Sequence, residues 1–128
     1  MIEEEVYISD NEFGHEVTID MRKPELKKAQ SPVELLLSSL GACGAVDIAI
    51  MLRKRRKQID AFITETEGTR RTEVPKSFTK LHCHYRITSP DVTEDELKKV
   101  AQLSLEKYCS VANSLNAKVT FSVEVVRP

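Results

Sequence analysis

Apolar residues in this chain recur at two spacings, every second position in some stretches and every three to four in others. Residues 3–9 and 15–21 read as strands. In the second, Val17, Ile19 and Met21 alternate with polar positions, and Asp10-Asn11-Glu12-Phe13-Gly14 supplies the turn. Residues 22–30 are polar and are predicted to be loop. Ser31 then opens a helix, because Ser31 at the N-cap, Pro32 at the first helical position and Glu34 three residues after the cap form a capping box. The pattern carries this helix to about Lys57, roughly 39 Å at 1.5 Å per residue. Its first two-thirds are apolar on nearly every face, so it needs cover on more than one side. One small sheet covers one side, and a second copy of the chain is the natural cover for the other.

Residues 60–72 and 77–89 read as an antiparallel pair turning near Glu73-Val74-Pro75-Lys76. In the latter, Thr79, Leu81, Cys83, Tyr85 and Ile87 share one face, and Lys80, His82, His84 and Arg86 the other. Thr93-Glu94-Asp95-Glu96 is a second capping box. It opens a helix through about Lys107 with Leu97, Val100, Ala101, Ser104 and Tyr108 as one stripe. A short helical piece follows from Ser110, and residues 118–126 close the chain as a strand with Val119, Phe121, Val123 and Val125 inward. The order ββ-α-ββ-α-β is that of an α+β fold with a long central helix against a largely antiparallel sheet.

At 128 residues the chain has room for a single domain, 1–128. A net charge of −1 leaves no electrostatic footprint for nucleic acid or a membrane surface. The cationic run Arg53-Lys54-Arg55-Arg56-Lys57 closes a helix, where it complements the helix dipole, and it has no interleaved aromatics. Residues 35–52 are apolar enough to suggest a membrane span. Asp47 argues against it, since an aspartate at mid-span costs about 2.5–3.5 kcal/mol on insertion scales, and a helix buried in a soluble core is expected. The acidic start Met1-Ile2-Glu3-Glu4-Glu5 is no secretory signal, so a cytoplasmic location is expected. In that reducing compartment three cysteines point to redox or metal chemistry before a structural disulfide framework.

The cysteines differ in setting. Cys43 lies between Ala42 and Gly44, with Gly41 and Ala45 beyond. Glycine in a helix costs about 0.8–1 kcal/mol relative to alanine, so two of them here imply close packing or function. A buried, inert cysteine and a pocket cysteine both fit. Cys109 ends one helix just before another short one, where free N–H groups favour a thiolate; a boundary cysteine fits as well. Cys83, alternating with Leu81 and Tyr85, reads as core. His82 and His84 share a strand face with Lys80 and Arg86 and have no third or fourth ligand nearby in sequence, so no metal site is expected.

The Ser31-Pro32 helix start with Cys43 eleven residues after the proline, paired with Tyr108-Cys109-Ser110 66 residues later, resembles the OsmC/Ohr superfamily of thiol-dependent peroxidases. The resemblance spans nearly the whole chain. It implies an intertwined homodimer with two long central helices wrapped by sheets from both subunits. It also implies an organic hydroperoxide as substrate, an external dithiol as reductant, and no cofactor. By this resemblance Cys43 is the peroxidatic cysteine, oxidised to a sulfenic acid, and Cys109 resolves it as a disulfide. The family holds and activates the first cysteine with an arginine and a glutamate. Arg22, ten residues before Pro32, stands where one branch places the arginine. The family's acid directly follows the proline, where this chain has Val33; Glu34 is one position later, about 100° round the helix. That departure leaves a second reading, a redox-sensing or small-ligand-binding dimer of the same fold without turnover.

Overall fold

The computed structural model describes all of Met1–Pro128. The elements are β1 (Val6–Asp10), β2 (Glu16–Asp20), α1 (Pro32–Lys54), β3 (Ala61–Arg70), β4 (Phe78–Thr88), α2 (Glu94–Leu103) and β5 (Lys118–Val126). A π-helical turn, Ser104–Tyr108, follows α2, and a 3₁₀ turn, Ala112–Ser114, precedes β5. The chain forms two compact units, Met1–Leu36 and Leu37–Pro128.

In the first unit β1 and β2 pair antiparallel, with Tyr7 opposite Ile19 and Ser9 opposite Val17. The polar segment after β2 is organised around Asp20, which is 1 % exposed. Asp20 accepts hydrogen bonds from the Arg22 and Lys28 backbone N–H groups, both at 2.9 Å, and from the Arg22 guanidinium at 3.0 and 2.7 Å. The capping box predicted at the start of α1 is present. The Glu34 N–H points to Ser31 Oγ at 3.4 Å, and the Ser31 N–H and hydroxyl both donate to Glu34 Oε1, at 3.3 and 2.7 Å.

In the second unit the sheet order is β3-β4-β5. β3 and β4 are antiparallel, as the short turn between them implied, whereas β5 runs parallel to β4, from Lys80 opposite Lys118 to Thr88 opposite Val126. The sheet is therefore mixed. The α2 segment supplies the long crossover that a parallel neighbour requires. The inward side chains of β4, Leu81, Cys83, Tyr85 and Ile87, are buried with Leu40, Ile48 and Leu52 of α1 and Leu97, Val100 and Ala101 of α2. Helix and sheet approach closely through two glycines. A Cβ on Gly41 would stand 2.5 Å from Thr66 Oγ1, and one on Gly44 2.4 Å from the Tyr85 hydroxyl.

α1 ends three residues short of the expected Lys57. Its last turn closes with Lys57 N–H on the Leu52 carbonyl (3.1 Å) and Arg56 N–H on that of Arg53 (2.9 Å), with Arg56 left-handed at φ 61°. This is the Schellman arrangement, made here without its usual glycine. By length and composition α1 could cross a membrane, yet one side of it is built into the core just described. The second helix also stops early, at Leu103, where the wider π turn takes over and closes with Cys109 N–H on the Ser104 carbonyl at 2.7 Å.

Candidate active site

Cys43 sits one helical turn before Asp47 on α1, since residues four apart share a helix face. The π turn delivers the other half of the site. A π turn spaces residues wider than an α turn and recurs at functional positions. Here it sets Ser104 at its start and Cys109 at its end. Ser104 Oγ donates to Asp47 Oδ2 at 3.2 Å, with the Gly44 carbonyl 3.5 Å away as the alternative acceptor. Cys43 Sγ, an Asp47 carboxylate oxygen and Cys109 Sγ all lie within 4.8 Å of one another. Cys43 and Asp47 are half-buried and Cys109 is buried, and all three cysteines are free thiols.

The electrostatics of Cys109 differ from expectation. Free N–H groups of the following turn were expected to favour its thiolate, and the Ala112 N–H does point at its sulfur, at 3.4 Å. Burial outweighs them and pushes the thiol up to about 11. A three-residue turn offers few free N–H groups, whereas the full desolvation of the sulfur penalises the charged form. Tyr85 completes the surroundings. Its buried hydroxyl lacks an oxygen or nitrogen partner. It lies near enough to Cys83, Cys109 and Cys43 that burial, and then their charge, raise its ionisation well above the ordinary phenol. Cys83 is core, as its alternation predicted, and burial raises its thiol too.

Asp47, Ser104 and Tyr85 were not singled out as site residues from sequence. The Cys43–Asp47 spacing was a usable signal, because i, i+4 places both on one helix face. A cavity of about 250 Å³ lies beside Asp47, walled by Ile50, Met51, Lys54, Leu103 and Tyr108.

The other two expected site residues belong to the first unit. Arg22 pairs with Asp20 at 2.7 Å and with Glu3 at 3.4 Å. Its partner, Asp20, is held well below the usual carboxylate range, first by the Arg22 side chain and then by the Lys28 N–H. Glu34 closes the capping box and forms an ion pair with Lys27. Lys27 first and Ser31 second lower its carboxyl to about 2. A wide-open cavity of this unit, about 840 Å³, is lined by residues including Val17, Lys27, Lys28 and Glu34 and by no cysteine.

Known proteins extend these observations. The chain is 33% identical over 122 residues, 94% of its length and 90% of the relative's, to Protein YhfA of Escherichia coli K12. It is 25% identical over 121 residues to a hydroperoxide reductase of Mycoplasma genitalium, covering 92% of this chain and 82% of that protein. Among solved structures, that of a hypothetical protein from Aquifex aeolicus superposes with a TM-score of 0.85 at 30% identity, over 98% of this chain and 91% of the other. The family described as OsmC-like protein matches residues 25–124, a stretch that contains both cysteines of the pair and the two helices that carry them. The chain belongs to the OsmC-like protein family.

Proposed function

We propose that this protein is a thiol-dependent peroxidase that reduces organic hydroperoxides in the cytoplasm, acting as a homodimer. The observation that supports it is the approach of Cys43 and Cys109, 66 residues apart in sequence, to within 4.8 Å between sulfurs. That separation lies within easy reach of the ~2.05 Å bond of a disulfide after a small local shift. The Mycoplasma genitalium relative, a hydroperoxide reductase, points the same way.

On this reading the Cys43 thiolate attacks the hydroperoxide. An S–O bond forms, the O–O bond breaks, and the alkoxide leaves as the alcohol once protonated. Cys109 then attacks the Cys43 sulfenic sulfur and displaces hydroxide, which departs as water, forming the disulfide. An external dithiol reduces that disulfide by two exchange steps and is itself oxidised. Asp47 is placed to take the proton from a thiol. Arg22 and Glu34 are the cation and the acid that the resemblance offers for activating Cys43, and substitution at each tests those roles.

One observation favours the sensing alternative. A Cys109 thiol raised to about 11 is almost wholly protonated at neutral pH, which slows resolution and return to the reduced state. Turnover separates the two readings. With excess organic hydroperoxide and dithiol, a peroxidase consumes many equivalents of peroxide per chain, and Cys43→Ser abolishes this. A single equivalent consumed, followed by arrest in the presence of fresh dithiol, would reject the peroxidase reading.

A further inference from the structure

The two thiols and Asp47 together have the composition of a metal site, although none was expected at His82 and His84 from sequence. We propose that Cys43, Asp47 and Cys109 bind one Zn²⁺, or a similarly thiophilic divalent ion, in the reduced protein, leaving a fourth position open. Two sulfur donors with one carboxylate oxygen suit zinc and disfavour magnesium or calcium, which take oxygen ligands. In a tetrahedral site with metal–sulfur bonds of about 2.3 Å the sulfurs stand roughly 3.8 Å apart. The three donor atoms already lie within 4.8 Å of one another, so closure on an ion needs movements of about an ångström or less.

The surroundings are also those of a ligand set. Ser104 holds Asp47 Oδ2 at 3.2 Å, fixing the carboxylate as an outer hydrogen bond fixes a metal ligand. The Tyr85 hydroxyl is fully buried beside the sulfurs, has no oxygen or nitrogen partner, and donates to the Cys83 sulfur. Cys43 and Asp47 are only half-buried, which leaves the site open to ions without unfolding. On binding, the two thiol protons leave to buffer, and the ion supplies the positive charge that balances the two thiolates. An occupied site holds both sulfurs as ligands and blocks their oxidation to a disulfide. The proposal does not depend on peroxidase activity.

The test uses fully reduced protein, no peroxide, and zinc alone in competition with a chromophoric chelator. Co²⁺ serves as a spectroscopic probe of sulfur coordination. The expected result is one ion per chain with a sulfur-to-cobalt charge-transfer band, and protection of Cys43 from alkylation by zinc. Cys43→Ser should abolish binding, Asp47→Asn should weaken it at least tenfold, and Ser104→Ala should weaken it roughly 10–100-fold. His82→Gln with His84→Gln should leave it unchanged. Wild-type protein alkylated at Cys43 gives the same loss without a substitution, which guards against a variant that misfolds. Absence of zinc binding by reduced protein, binding indifferent to Cys43 alkylation and to Asp47→Asn, or binding lost with the histidines would overturn the site.

Discussion

Gly44 and Tyr85 form a fitted pair beside the sulfurs, and the fit is tight enough to test. A methyl on Gly44 would meet the phenol oxygen at 2.4 Å, and the ring cannot swing aside because Tyr85 is fully buried. Gly44→Ala gains about 1 kcal/mol of helix propensity and incurs overpacking of about 1–3 kcal/mol, so a net loss of stability is expected in urea unfolding. Tyr85→Phe removes the clashing atom, and the double variant should recover most of the loss; no recovery would show that the clash is not the cause. From sequence alone the small residues around Cys43 announced close packing but not the partner, since Tyr85 lies 41 residues away. Arg22 carries a second lesson. Spacing from Pro32 suggested a site residue, but nothing local announced the buried Asp20 it neutralises. Arg22→Ala is therefore expected to lower stability, because it strands that carboxylate. Peroxide rates for this variant need a parallel unfolding curve. If the rate falls while Asp20→Asn, which also breaks the pair, leaves it unchanged, Arg22 acts on the chemistry directly.

At the scale of elements, both helix starts were legible and both helix ends were not. Capping boxes are written in adjacent residues. The first forms in full, and the second only as its Thr93 cap, because the Glu96 carboxylate turns to Arg55 and Lys57. The end of α1 is made by Arg56 in a left-handed conformation, so the glycine that usually marks such a stop is missing. Arg56→Gly should relieve about 1–2 kcal/mol of backbone strain, less about 0.5–1 kcal/mol for the freer unfolded chain. A small net gain in unfolding midpoint is expected, and a loss would mean the arginine side chain holds the turn. The end of α2 was hidden because a π turn keeps the apolar stripe going while widening the backbone. Direction of β5 was hidden for a related reason: alternation reports faces, not polarity of pairing. The α1 start also gives a pH prediction. Glu34 titrates near 2 in the fold against an ordinary value near 4.5. Its stabilising effect is complete above about pH 4.5 and is lost as pH falls from there through about 2. Acid unfolding followed by circular dichroism should show this limb, and Glu34→Gln should flatten it; an unchanged limb would assign acid sensitivity elsewhere, with Asp20 the next group.

At the scale of the whole molecule, each unit leaves apolar surface that its own elements do not cover. A two-stranded sheet is at best marginal in water. Here its Tyr7 and Val17, each 45 % exposed, share a face with Ile19. On α1, Val46 and Ile50 are 57 % and 46 % exposed and stand one turn apart on one side of the helix. Apolar residues scattered singly need no partner, but patches of this kind on a hairpin and a central helix mark an interaction surface. We predict a homodimer burying both patches, with the ~2,000 Å² or more typical of obligate interfaces. Light scattering at micromolar concentration should return twice the 14.5 kDa chain mass. Val46→Lys with Ile50→Lys places two charges on the helix patch and should shift the protein to monomer or strongly destabilise it. Ile50 also lines the cavity beside Asp47, so loss of the dimer should open that cavity to solvent. Cys43 should then be alkylated faster in the charged variant than in wild type at the same pH. A wild-type monomer would defeat the assembly, whereas a dimer whose disruption leaves Cys43 reactivity unchanged would uncouple assembly from the thiol site.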